Sequence, residues 1–302
     1  MAPLTPLRAS LAAALASALL LAPRPAQACA ACACGVPSLT VTGEEVPFAG
    51  RLRLSGALRG WGLRQGEPGE REQLRELRLD LGVAYSPRDW LTLSAVVPLQ
   101  GRELRESNLA RSRALAPGDM EVSARAVVAR DRAFAPRHVL SVLGGVKLPT
   151  APEVHDAEGE PLPLDGQLGT GSFDPFAGLA YSGFRGPFAL SASVTGRLPT
   201  HGRDGYRGPP ALLASVGAQY QPRAQAWALR LGSDVQVAGA GTASGARDAS
   251  VKGVVAFLSP DVLFSPRQDL LLAAGVRVPV LQHTEEPVRF SPVFTLSLAV
   301  DR

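Results

Sequence analysis

This sequence predicts an all-β fold: an antiparallel transmembrane up-and-down β-barrel of about 12 strands. Three observations predict it. Apolar and non-apolar residues alternate in twelve stretches, an export signal precedes them, and aromatic residues gather at one end of the stretches. Phe188 to Leu198 shows the alternation best. One face reads Phe188, Leu190, Ala192, Val194, Gly196 and Leu198; the other reads Ala189, Ser191, Ser193, Thr195 and Arg197. Side chains of a strand point to opposite faces with period two, so the two faces meet different solvents.

Residues 1–28 read as a signal peptide. Arg8 supplies the positive start, Leu11 to Ala22 is apolar, and Ala26-Gln27-Ala28 is a small-x-small cleavage site. Residues 29–48 then form a Cys-containing periplasmic N-terminal tail, and residues 49–302 the outer-membrane barrel. Removing the signal takes away Arg8 and Arg24 and no acid, so the formal net charge falls from +4 to +2. A balance that small gives no argument for nucleic acid as a partner. Beyond the signal, no segment reaches the roughly 18 consecutive apolar residues of a spanning helix. A chain of this kind enters a membrane only as a closed sheet, because every backbone N–H and C=O in lipid needs an internal partner.

The expected strands are 50–60, 74–86, 89–100, 119–130, 137–149, 171–183, 187–199, 210–221, 226–239, 249–259, 268–282 and 288–301. The count is even, as for bacterial single-chain barrels. Most expected strands are long enough for the roughly 9–11 residues that a tilted strand needs to cross a bilayer. Short connections at Pro87-Arg88, Asp131–Pro136, Phe184–Gly186, Pro222–Gln225 and Pro260–Arg267 alternate with longer ones at 61–73, 101–118, 150–170, 200–209 and 240–248. Short periplasmic turns and long outer loops are the usual asymmetry, which puts both termini in the periplasm. Tyr85, Trp90, Tyr181, Phe184, Phe188, Tyr220, Trp227, Phe257 and Phe264 flank the short turns. Their apolar bodies and polar neighbours suit a girdle at the lipid–water boundary. The pairs Val97-Pro98, Leu148-Pro149, Leu198-Pro199 and Val278-Pro279 are expected at outward strand ends, where a residue without an N–H is tolerated.

The faces follow from the alternation. Leu77, Leu79, Leu81 and Val83 face lipid, as do Leu229, Leu231 and Val235; Leu270, Leu272, Val276 and Val278; and Phe290, Phe294, Leu296 and Leu298. The lumen-lining set is Arg51, Arg53, Glu76, Arg78, Asp80, Glu121, Arg125, Lys147, Arg197, Arg230, Asp234 and Arg277, with Arg59, Lys252 and Arg289 on the same face. The rest of that face is mostly small, a composition that fits a narrow interior better than an open water-facing sheet. The arginines either give anion preference, as basic rings do in pores, or pair with Glu76, Asp80 and Glu121 and plug the interior. A barrel of about 12 strands is only somewhat wider than the eight-stranded kind that side chains fill.

Cys29, Cys32 and Cys34 hold all three thiols of the chain. Three thiolates so close can coordinate Cu(I), or Zn²⁺ with a fourth ligand. The same cysteines also suit a disulfide or a lipid anchor at Cys29. No other cofactor is implied. The acidic stretch Pro152 to Glu160, with His155, reads as a solvated outer loop without the ligand spacing of a calcium loop. No enzyme is expected. His138, His155, His201 and His283 are scattered, with no arrangement of Ser and acid around them.

Gly145-Val146-Lys147-Leu148-Pro149-Thr150, then Leu168-Gly169-Thr170-Gly171-Ser172-Phe173-Asp174-Pro175, resembles an outer-membrane barrel family associated with the MetA pathway of phenol degradation and called transporter-like. Pro117-Gly118-Asp119-Met120-Glu121-Val122 is similar to that family's Gly-Asp strand opener, and the likeness runs over roughly residues 70–300. The resemblance implies an exported barrel passing small or aromatic compounds, and it brings no catalytic residues. The chain ends Val300-Asp301-Arg302 instead of in an aromatic residue, a departure from many outer-membrane proteins.

The function expected is an outer-membrane channel or transporter component for small solutes, aromatic or anionic compounds among them. The alternatives are a metal-handling protein using the cysteine cluster, and a structural or surface-interaction barrel with a plugged lumen. The expected partners are outer-membrane lipid, small solutes and the barrel assembly machinery.

Overall fold

The computed structural model describes residues 47–302, except 67–70, 157, 223–224 and 244. The export signal and the cysteines Cys29, Cys32 and Cys34 lie outside the described residues. In chain order the strands are β1 (Leu52–Gln65), β2 (Glu72–Arg88), β3 (Leu91–Arg105), β4 (Arg111–Pro117), β5 (Glu121–Arg130), β6 (His138–Lys147), β7 (Asp174–Arg185) and β8 (Phe188–Arg197). They continue as β9 (Ala211–Tyr220), β10 (Trp227–Ala238), β11 (Gly241–Ala243), β12 (Ala246–Asp248), β13 (Gly253–Arg267), β14 (Leu270–Thr284), β15 (Val288–Phe290) and β16 (Val293–Asp301). The helical content of the described residues is a 3₁₀ turn at Arg203–Gly205.

Each long strand pairs antiparallel with its sequence neighbours, and β1 pairs with both β2 and β16, which closes the sheet. Two staves of the barrel are interrupted. β4 and β5 lie end to end along β3, and β15 and β16 lie end to end along β1. Counting each broken pair as one, the result is a closed barrel of 12 antiparallel staves. Closure removes the free sheet edge, so the backbone polar groups of the wall find partners within it. β11 and β12 form a separate small hairpin in a loop.

The wall is apolar outside. Leu54, Leu77, Leu81, Val83, Leu190, Val216, Leu229, Leu231, Val262, Phe294 and Leu296 are all exposed on it. Arg53, Arg59, Glu76, Asp80, Gln100, Arg102, Asp174, Thr195 and Ser259 are buried. This inverts the ordinary distribution, in which charged side chains sit in water and large apolar ones inside. Lipid around the wall removes the contradiction. Tyr85, Trp90, Tyr181, Phe188, Tyr220, Trp227 and Phe264 stand exposed near the short-turn end. The Phe188 and Tyr220 rings lie 5.2 Å apart on neighbouring strands. Leu81, near the middle of β2 and exposed, gives a direct test. Leu81→Arg should cost about 2–4 kcal/mol in a bilayer, read as a lower denaturant midpoint for folding into lipid vesicles, whereas Gln100→Ala on the inner face should fold in lipid as before.

The structure departs from the sequence expectation in five places. Much of 61–73 and 101–118 is strand, because β1 runs to Gln65, β2 begins at Glu72, β3 runs to Arg105 and β4 begins at Arg111. Their outward side chains include Arg64, Arg75, Arg111 and Arg113, a polar continuation of the wall. The link at Pro260–Arg267 lies inside β13, and the turn falls at Gln268-Asp269. Pro98 and Pro279 are within strands, not at their ends: Pro98 lies beside the break between β4 and β5, and Pro279 opposite a bulge at Ala256/Phe257. Phe257 turns inward and is buried. Finally, Phe290 faces inward and Arg289 outward, the reverse of expectation. The break at Ser291-Pro292 shifts the side-chain parity by one residue, and Phe290 meets Phe257 edge-on at 6.1 Å.

Candidate lumen and mouth latch

The inner wall carries paired charges at several levels. At the short-turn end, Arg51 and Arg53 share Asp301, with both Nη2–Oδ2 distances 2.7 Å. Further up, Asp80 is held by Arg59 and Arg78. Glu76 accepts two hydrogen bonds from Arg102, at 3.0 and 2.7 Å. Arg197 donates to Glu121 at 2.7 Å, its guanidinium 5.2 Å from the Phe176 ring centre. Across the barrel, Arg230 pairs with Asp261 at 2.9 Å. Arg277 pairs with Asp234 at 3.2 Å and lies over Phe257 at 4.6 Å. Arg125 sits on the inner face of β5 with Glu121 and Ser123. Of the pairs expected from the sequence, the structure brings together Arg78 and Asp80. Arg51 and Arg53 instead meet Asp301, because the β1–β16 register sets Arg53 opposite it, whereas Glu76 stands opposite Trp61, eight residues further along β1. Lys252 lies in a loop and bonds Glu285.

Lys147 belongs to a different cluster. Its Nζ lies 3.1 Å from Asp119 and 2.7 Å from Asp174, and it also donates to Thr170. Asp119 further accepts the backbone N–H groups of Ala151 (3.1 Å) and Thr170 (2.9 Å). Ser172 donates to Asp174 at 2.7 Å. These residues fasten both ends of the loop 148–173 to the mouth. Close approach is needed here: a Cβ on Gly169 would stand 2.4 Å from the Ala151 Cβ and 2.5 Å from the Asp119 carboxylate. From these anchors the loop turns into the barrel. Leu162 and Leu168 pack on Ala114 of β4, and Arg102 donates to the carbonyl of Asp165 at 3.1 Å. Gln167 folds the loop on itself through Val154 and Leu162. Arg203, from the next loop, clamps it through Ala151 (2.6 Å) and Gln167 (3.1 Å). The acidic stretch with His155 stays on the outside, and Asp156 spends an oxygen on its own turn.

The lumen is therefore uneven. On the β1–β3 side, Trp61, Leu63, Leu74, Leu104, Val288 and Val293 fill the mouth with an apolar cluster. Beside it sits the latched loop. Away from these fillings a cavity of about 170 Å³ remains, lined mostly by small and polar residues from β7 round to β16 and β1 that include Ser193, Ser215, Gly232, Ser259, Gly275 and Ser297. Arg230, Asp234, Asp261 and Arg277 reach into it. Sequence reasoning missed Arg102, Asp119, Asp174, Asp261, Asp301 and Arg203 as members of these clusters. Arg102 was legible, since Pro98, Gln100, Arg102 and Leu104 continue the inward face of β3. The others depend on loop folding or cross-barrel level, which periodicity does not encode.

A closed barrel with an apolar exterior and a charged interior defines the class: an outer-membrane-type β-barrel. The structure of an outer membrane channel from Pseudomonas putida F1 superposes with a TM-score of 0.68 at 14% identity, covering 86% of this chain and 97% of that one. The translocator domain of the autotransporter NalP from Neisseria meningitidis gives 0.48 at 12% identity, covering 97% of each chain. The P. putida toluene transporter TodX gives 0.43 at 13% identity, covering 88% of this chain and 91% of that one. No protein-family model matches the sequence, and no curated protein matches it either. The fold is thus shared with the outer membrane channel from Pseudomonas putida F1.

Proposed function

We propose that the chain is an outer-membrane channel for small solutes, with both termini in the periplasm and the loop 148–173 narrowing its outer mouth. The observation that carries this reading is the unevenness of the lumen. A barrel that served only as a structural wall has no need to keep one side lined with Ser, Gly and Ala while the other is filled. Small side chains leave room, and hydroxyls with paired charges keep that room wet. The mixed charge of Arg230, Asp261, Asp234 and Arg277 suits solutes that combine an apolar body with a carboxylate or hydroxyl. This agrees with the small or aromatic compounds implied by the family resemblance and with the anion preference that lumen arginines can give.

Liposome swelling tests it. Vesicles holding the protein should swell in benzoate and in small sugars faster than empty vesicles, and more slowly in large oligosaccharides. Equal rates with and without protein would sink the proposal. The plugged-barrel reading has its own observation, the apolar cluster around Trp61 and Leu63, and it predicts that second result. The Cys29, Cys32 and Cys34 cluster adds a separate expectation: Cu(I) or Zn²⁺ uptake by the mature chain, lost on triple Ser substitution.

A further inference from the structure

We propose that the outer mouth binds a hard divalent cation between the loop 239–252 and the loop 285–287, held by oxygens of Asp248, Glu286, Gln65 and Ser250. The two loops are tied together. Glu285 accepts from Lys252 at 2.7 Å and from Arg247 at 3.3 Å, and its backbone N–H donates to the Lys252 carbonyl at 2.8 Å. Gln65, the last residue of β1, donates through its amide nitrogen to Glu286 at 3.3 Å. That contact aims the Gln65 side chain into the cluster.

Three oxygens on these segments are buried and unmatched. Gln65 Oε1, Asp248 Oδ2 and Ser250 Oγ have no hydrogen-bond partner among the described residues. Gln65 is 6% exposed, Asp248 7% and Ser250 0%. The other Asp248 oxygen accepts the Ser250 backbone N–H at 3.0 Å. Among the described residues, no basic side chain pairs with Asp248. A buried acceptor without a donor costs free energy, and a buried carboxylate costs more. Burial first, and then Asp248, push the Glu286 carboxyl above its ordinary range. The place is therefore short of positive charge and rich in oxygen lone pairs. A cation answers both needs.

The donor set is all oxygen, with two carboxylates, an amide carbonyl and a hydroxyl. That set suits Ca²⁺ or Mg²⁺ and not a thiolate- or imidazole-seeking metal. No three His, Cys, Asp or Glu side chains among the described residues gather closely enough to hold an ion by themselves. The neutral oxygens of Gln65 and Ser250, with solvent, complete the shell. An ion here would tie the β1–β15 seam to the loop that carries β11 and β12.

The test uses the folded mature protein in detergent, stripped with EDTA and then titrated with CaCl₂ or MgCl₂. Calorimetry should show a saturable site, and Ca²⁺ or Mg²⁺ should raise the thermal unfolding midpoint. Asp248→Asn should lose at least tenfold in affinity, while Asp269→Asn, which alters an exposed carboxylate in the short turn between β13 and β14, should bind as wild type does. Ser250→Ala, which removes a neutral ligand and no charge, should weaken binding less than Asp248→Asn. Absence of a saturable site, or uptake that Asp248→Asn leaves unchanged, overturns the proposal.

Discussion

Lys147→Met should lower the folding stability of the barrel by about 3–5 kcal/mol, the usual consequence of removing one member from a buried ionic cluster. Lys147 stands between Asp119 and Asp174, which are both buried. Without the ammonium, two neighbouring carboxylates on either side of β6 are left with only hydroxyls and backbone N–H groups to hold them. The triple variant Lys147→Met, Asp119→Asn, Asp174→Asn should recover part of the loss, because it removes the stranded charge along with the bridge. Urea-induced unfolding from lipid vesicles, followed by tryptophan fluorescence, measures both. A Lys147→Met chain as stable as wild type would mean that the cluster does not hold the mouth together.

Excising residues 153–166, the outer acidic stretch together with the inward-turned segment around Leu162 and Asp165, and bridging the gap with Gly-Ser-Gly should have the largest effect on transport. The excision spares Asp119, Lys147, Thr170 and Asp174, so the anchors stay, but it removes Leu162 and the Asp165 carbonyl that Arg102 holds. Planar-bilayer recordings should show larger unit steps than wild type at the same salt. Arg102→Ala should move in the same direction by a smaller amount, since Gln167 and Arg203 still fix the loop. Unchanged steps after excision would show that the loop lies off the solute path.

All twelve staves are legible in the sequence because each has a period-two pattern with different solvents on its two sides, as in Phe188 to Leu198. Lipid makes that signal clear: a charge on the outer face is costly, so Leu77, Leu79, Leu81 and Val83 alternate cleanly with Glu76, Arg78, Asp80 and Gly82. The same logic failed where the membrane no longer disciplines the strand. β4 and the upper part of β3 project into water and carry Arg105, Arg111 and Arg113, so they read as loop. Phe290 was assigned to lipid because the alternation of β16 was carried back through Ser291-Pro292, where the stave breaks.

The inner face was legible as a set of positions but not as a set of partners. Register decides which charges share a level, and register across the barrel seam cannot be read from one strand. Asp301 therefore emerged only in the structure as the partner of Arg51 and Arg53. The mouth latch shows the same limit. Gly118-Asp119, Lys147 to Thr150 and Leu168 to Pro175 stood out as motifs, and folding brings all three into one cluster around Lys147. The uneven filling of the lumen, which carries the proposed route, depends on that loop conformation and left no trace in periodicity.

Cysteine scanning along β8 tests the inverted wall most directly. Against a background with Cys29, Cys32 and Cys34 replaced by Ser, single cysteines are placed at Leu190, Ser191, Ala192, Ser193 and Val194 in protein reconstituted into vesicles. A small, charged, water-soluble maleimide should label positions 191 and 193 and spare 190, 192 and 194, while a lipid-soluble reagent should show the opposite preference. Uniform labelling along the strand, or charged reagent reaching 190, 192 and 194 first, would contradict a barrel with lipid outside and water within.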